Sequence, residues 1–180
     1  MSEKIEIPSS KIKLIIMLIG SCIFILLCLK LAKDPEKFIT FNHKNVEIIR
    51  IVGIVGCALF SSALIYIPLK LLDKKPGLTI SEEGITDNSS AVSVGLILWK
   101  DIISIKTEQI KSIKFFIVDV KNPDEYIMSK SKLKQMLLKI NIQKYGTPIT
   151  IMCSGLKYDF NKIQQLINDG FEKYKEKPNS

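Results

Sequence analysis

The 180-residue chain has a single histidine, His43, a single tryptophan, Trp99, and no arginine after Arg50. Catalytic sites need converging partners, and one histidine in a short polar connection has none within its reach, so it reads as a solvated residue. There is no glycine-rich phosphate loop and no spacing of His, Cys and carboxylates that would hold a metal. Three of the four cysteines, Cys22, Cys28 and Cys57, lie in apolar runs, and Cys153 lies in a strand-like segment. They make neither a disulfide framework nor a zinc pattern, and free thiols suit a domain facing a reducing cytoplasm. Trp99 reads as a core or interface aromatic rather than a ligand platform. Asp87 and Asp101 lie near strand ends and could approach one another, but carboxylates there usually form turns. An enzyme is the least favoured class, and no cofactor is expected.

Charge is spread unevenly. Residues 1–75 carry eleven Lys/Arg against six Asp/Glu, and residues 76–180 carry fifteen against twelve. The second part is thus only mildly basic and uses lysine alone, which argues against nucleic acid as a partner, since binders of it concentrate charge and favour arginine. An anionic membrane surface accounts for the excess more simply.

Ile51 to Leu69 runs nineteen residues without a charge. At about 1.5 Å per helical residue it is long enough to cross a hydrocarbon core of roughly 30 Å. Leu14 to Leu29 is a second uncharged run, which Lys30 and Leu31-Ala32 extend to a span of about residues 14–32. A cleaved lipoprotein signal at Ile19-Gly20-Ser21-Cys22 is the rival reading, but the apolar run continues seven residues past Cys22. The short connection between the runs makes the spans antiparallel, with both termini on one side. Six lysines flank that side and five cations the loop side, a bias toward both termini in the cytoplasm. The chain thus divides into a transmembrane hairpin, residues 1–75, and a soluble domain, residues 76–180. Gly53 and Gly56 offer a small-residue face through which copies could pack.

After Lys75-Pro76-Gly77 the pattern changes to near-alternation. Strands are expected at 78–81, 85–87, 94–99, 102–107, 113–121 and 149–153. Between the last two, Asn122-Pro123-Asp124 opens one helix running to about Ile142, with Leu133, Met136, Leu137 and Ile140 as its buried stripe. Asp159 caps a final helix with a stripe of Phe160, Ile163, Leu166, Ile167, Phe171 and Tyr174, whose charged end is closed by Pro178. The class is α+β.

The segments GLTISEEGITDNSS, VGLILWKDIISI and FIVDVKNPDEYI, with the amphipathic final helix and the double span in front, resemble a small family of two-span bacterial membrane proteins with a pleckstrin-homology-like cytoplasmic domain. The resemblance covers essentially the whole chain. It implies a strongly bent sheet or open barrel plugged by the helix from Asp159, and it transfers no catalytic residues. The lysine-rich helix before the last strand departs from the family's pattern.

The expected function is that of a non-enzymatic binding or scaffold protein of the inner (cytoplasmic) membrane. Its soluble domain would contact a protein partner or anionic lipid headgroups, with Lys130, Lys132, Lys134, Lys139 and Lys144 as the contact residues. The alternative is a membrane-embedded immunity or protective factor acting through the hairpin, which would keep its function after deletion of residues 76–180.

Overall fold

The computed structural model describes residues 4–39 and 45–175. His43, Lys44 and Pro178 lie outside them. The chain divides into two units, Lys11–Lys74 on the one hand and Met1–Ser10 with Lys75–Ser180 on the other.

The first unit is two helices, α1 (Lys11–Lys33) and α2 (Val46–Leu72). Both are long and apolar enough to cross a membrane. Most of their large apolar side chains are exposed, among them Ile16, Leu26, Leu59 and Ile65. That is the reverse of the core helix of a water-soluble protein. Helix α2 starts five residues before the uncharged run because Asn45 caps it, its Oδ1 accepting from the N–H groups of Glu47 at 3.0 Å and Ile48 at 3.4 Å. The two helices approach most closely where α2 has no side chain. A Cβ on Gly53 would lie 2.6 Å from Ala32 N and 2.8 Å from Cys28 O, and one on Gly56 would strike Cys28 Sγ. Phe24 and Phe60 stack nearby with centroids 4.9 Å apart. The two glycines, read in the sequence as a surface between copies, are used inside one chain.

The second unit begins with a strand that the sequence reading missed. Ile5–Ile7 (β1) pairs antiparallel with Leu78–Ile80 (β2), so residues 4–10 belong with the second unit and not, as expected, with the hairpin. Ser10 N–H donates to Gly155 O and Lys157 N–H to Pro8 O, which holds the same segment on its other side. The sheet continues through Gly84–Asp87 (β3) and Gly95–Leu98 (β4), in the order β1-β2-β3-β4.

A second antiparallel sheet holds Ile102–Ile110 (β5), Ile113–Val120 (β6) and Ile149–Met152 (β7), in the order β5-β6-β7. The β5–β6 hairpin closes on the two-residue turn Lys111-Ser112, with Lys111 at φ +54°. Beside these two ladders there is an isolated bridge between Ser9 and Leu156, and among the described residues no barrel closes.

One core joins the two sheets. Ile7, Leu78, Ile85 and Ile97 meet Phe116, Val118, Ile149 and Ile151, with Ile163 and Ile167 of α5 (Phe160–Lys175) between them. The α5 stripe is the one read from the sequence, and Asp159 Oδ1 caps the helix by accepting from Lys162 N–H at 3.0 Å. Trp99 is a core residue, as expected, packed against Phe171 and Tyr174 with its Nε1–H donating to Ser81 O at 2.8 Å. Of the β6 side chains, Phe116, Val118 and Val120 enter this core together, matching the alternation.

The single helix expected over 124–142 is two, α3 (Pro123–Met128) and α4 (Lys132–Tyr145). The break lies at Ser129–Ser131. Lys130 N–H turns back to Ile127 O at 3.0 Å, and Ser131 is extended at φ −61°, ψ 153°. The Gln135 side chain fills the gap by donating to Met128 O at 3.3 Å and Lys130 O at 2.9 Å, so the carbonyls freed by the break are satisfied. Gly146, at φ +80°, ends α4 in the left-handed conformation that glycine adopts without strain.

Candidate functional site

Helix α4 carries four of the five lysines singled out above, and its fourteen residues, KLKQMLLKINIQKY, include no carboxylate. With successive side chains roughly 100° apart around the axis, its faces can be read directly. Leu138 is fully buried and Ile142 packs beside it, so this pair defines the inner face. The polar residues on that face have partners. Asn141 Nδ2 donates to Pro148 O at 3.2 Å and reaches Thr150 Oγ1 at 3.4 Å, while Gln135 bonds across the break. Tyr145 packs edge-on against Phe115, with centroids 5.5 Å apart.

The stripe Leu133, Met136, Leu137 and Ile140 is therefore not the buried one. Leu133 is 66% exposed, Met136 54% and Ile140 50%, and Met128 at the end of α3 is 75% exposed. The sequence offered two apolar rows on this helix. The structure buries the row interrupted by Gln135 and Asn141, because each of those amides finds acceptors there. The uninterrupted row is left outside. Lys132 and Lys139 are exposed along one side of it and Lys144 one turn beyond Ile140 at its end, and a shallow depression of about 340 Å³ along it is lined by Lys132, Gln135, Met136, Lys139, Ile140 and Gln143.

The remaining two lysines turn inward. Lys130 is at the helix break, where its Nζ donates to Val94 O at 2.8 Å. Val94 precedes Gly95, the register partner of Asp87. Asp87 is 2% exposed, its Oδ1 accepts from Ser89 N–H at 2.9 Å, and its Oδ2 has no hydrogen-bond partner. Burial pushes its carboxyl above the usual range, against the opposing pull of hydrogen bonds from Ser89 and Ser93 and of the Lys134 charge. Lys134 is displaced the other way, lowered by burial and by the charge of Lys130, with Asp87 opposing. The five lysines thus divide into an outer set of Lys132, Lys139 and Lys144 and an inner pair, of which Lys130 fastens the α3–α4 segment to Val94 and Lys134 is half-buried within the field of Asp87.

Asp87 and Asp101 take different partners. Asp101 Oδ2 accepts from the Tyr126 hydroxyl at 2.9 Å, and burial, followed by that bond, pushes the phenol up to about 12. On the second sheet Asp119 accepts from Ser104 Oγ at 2.6 Å and Lys106 Nζ at 2.7 Å. Burial would raise it, but the bonds from Lys106 and Ser104 together bring it below the ordinary carboxylate value. The trio is an ion pair between Lys106 and Asp119 with the Ser104 hydroxyl bonded to the same carboxylate oxygen. Among the described residues no group of three or more His, Cys, Asp or Glu could hold a metal ion.

The α4 face thus sets exposed apolar and like-charged side chains together on a single regular element of the second unit. Apolar exposure on its outer row is the feature that sequence periodicity concealed. No family model, no curated protein and no solved structure matches the chain.

Proposed function

We propose that the protein is a non-enzymatic, membrane-anchored binding module whose soluble unit contacts anionic lipid headgroups through α4. In this reading α1 and α2 cross the inner (cytoplasmic) membrane as an antiparallel hairpin with both outer ends in the cytoplasm. Seven strands followed by a helix that plugs the space between two sheets support reading the soluble unit as pleckstrin-homology-like. The observation that carries the proposal is the outward set Lys132, Lys139 and Lys144 on a helix with no carboxylate. A lysine close to an anionic leaflet gains about 1 kcal/mol, and the tether supplies proximity: three residues separate β1 from α1, and five separate α2 from β2.

The test uses the full chain reconstituted in vesicles of phosphatidylcholine alone or with phosphatidylglycerol, labelled with an amine-reactive reagent. Lys132, Lys139 and Lys144 are expected to be protected in the anionic vesicles at low salt, and the protection to fall as salt shortens the screening length. Equal labelling in both vesicles would overturn the lipid reading and leave the face to a protein partner.

A further inference from the structure

We infer that α4 does not rest on headgroups alone but inserts its outer apolar row, Leu133, Met136 and Ile140 with Met128 beside it, into the boundary between headgroups and acyl chains of an anionic bilayer. The inference rests on the lipid reading above and adds to it the depth of contact and the residues that make it.

Three observations support it. Leu133, Met136 and Ile140 follow one another at i, i+3 and i+7, so they form a continuous ridge, and each is at least half exposed. The ridge has Lys132 and Lys139 along one flank and Lys144 one turn beyond Ile140 at its end, and their long stems let the apolar row sink while the ammonium groups stay at the phosphates. The helix is also fastened from behind by Leu138, by the Asn141 amide and, through the break, by Lys130, so it presents the ridge as a fixed edge. An apolar row beside cations with no carboxylate is the pattern of an interfacial helix. A neutral apolar groove on a protein would fit the ridge but leave the lysines without counter-charges, which is why the anionic bilayer is the occupant.

The experiment places a fluorophore on the ridge. Met136→Trp and, separately, Ile140→Trp are made in the full chain and reconstituted in phosphatidylglycerol-containing vesicles with bromine on the upper acyl carbons. Trp99 is retained, since at 3% exposure it is sheltered from the quencher. Insertion predicts loss of the added fluorescence and a blue shift in both variants, measured against the parent chain. Protected lysines with no quenching in either variant would overturn insertion and leave headgroup contact standing. Lysines labelled equally in neutral and anionic vesicles, again without quenching, would overturn both. Two variants are used so that misfolding of one does not decide the result.

Discussion

Asp87 is where the second unit buries an ionisable group at a cost. Its Oδ2 is the buried side-chain oxygen without a hydrogen bond among the described residues, and its carboxyl is raised by burial. An acid whose folded value is raised contributes stability that is fully present below its ordinary value of about 3.9 and is lost as pH rises through the folded value. Lys134, lowered, contributes stability present above the ordinary lysine range and lost as pH falls through its folded value. For both groups the surroundings favour the neutral form, Asp87 through burial and Lys134 through burial and the charge of Lys130. Asp87→Asn is expected to gain on the parent as pH rises, with its advantage shrinking as pH falls through the raised folded value toward the ordinary carboxylate range. Melting curves across pH decide it, and a lower melting temperature for the variant near neutral pH would show that the pull of Lys134 outweighs burial. From sequence, Asp87 could be read only as a carboxylate near a strand end. Burial depends on Lys130 and α4 arriving from more than forty residues away, which no local pattern reports.

Among the elements, those that bury one clean stripe were legible and those that mix were not. Helix α5 was read correctly because Ile163 and Ile167 enter the core, the other four stripe residues pack against it, and nothing polar interrupts them. Helix α4 was read with the wrong face inward, since its buried row contains Gln135 and Asn141, and periodicity alone cannot see that both amides find carbonyl acceptors. The break before α4 was missed for the same reason, because Ser129–Ser131 contains neither glycine nor proline and is defined by the reach of Gln135. In the hairpin the sequence showed the helices but not their contact. Gly53→Ala puts a methyl group against the backbone of Ala32 and Cys28, and overpacking of this kind costs about 1–3 kcal/mol. Gly20→Ala, in α1 with nothing within 4 Å, should instead be neutral or stabilising, as alanine favours helix over glycine. Thermal unfolding of the two variants in detergent should therefore move in opposite directions, and an equal response would mean that the Gly53 contact does not hold the helices together.

For the molecule as a whole, the division into hairpin and soluble unit was visible in the change of period after Lys75, but the membership of residues 4–10 was not. Three residues of alternating character beside a helix start carry too little signal, and their partner strand lies some seventy positions on. Their pairing bears on topology more firmly than the six-to-five lysine bias could, since both outer ends of the hairpin lead into one sheet. In sealed vesicles carrying the chain with its native cysteines replaced, Glu6→Cys and Lys157→Cys are expected to react with an impermeant maleimide from the same side. Lys37→Cys, in the connection between the helices, should react only from the other. Labelling of position 37 together with positions 6 and 157 would show that the helices do not cross.

The β1–β2 ladder also sets an order of events. During synthesis Ile5–Ile7 emerges before the hairpin and must wait while seventy residues of hairpin and linkers, 8 through 77, pass before Leu78–Ile80 follows. Were only one helix to enter the bilayer, the two strands would be stranded in different compartments and the first sheet would lack its edge. If both helices cross, the first sheet can be completed only on a chain whose second helix has turned back, and a copy inserted otherwise would keep an open strand edge.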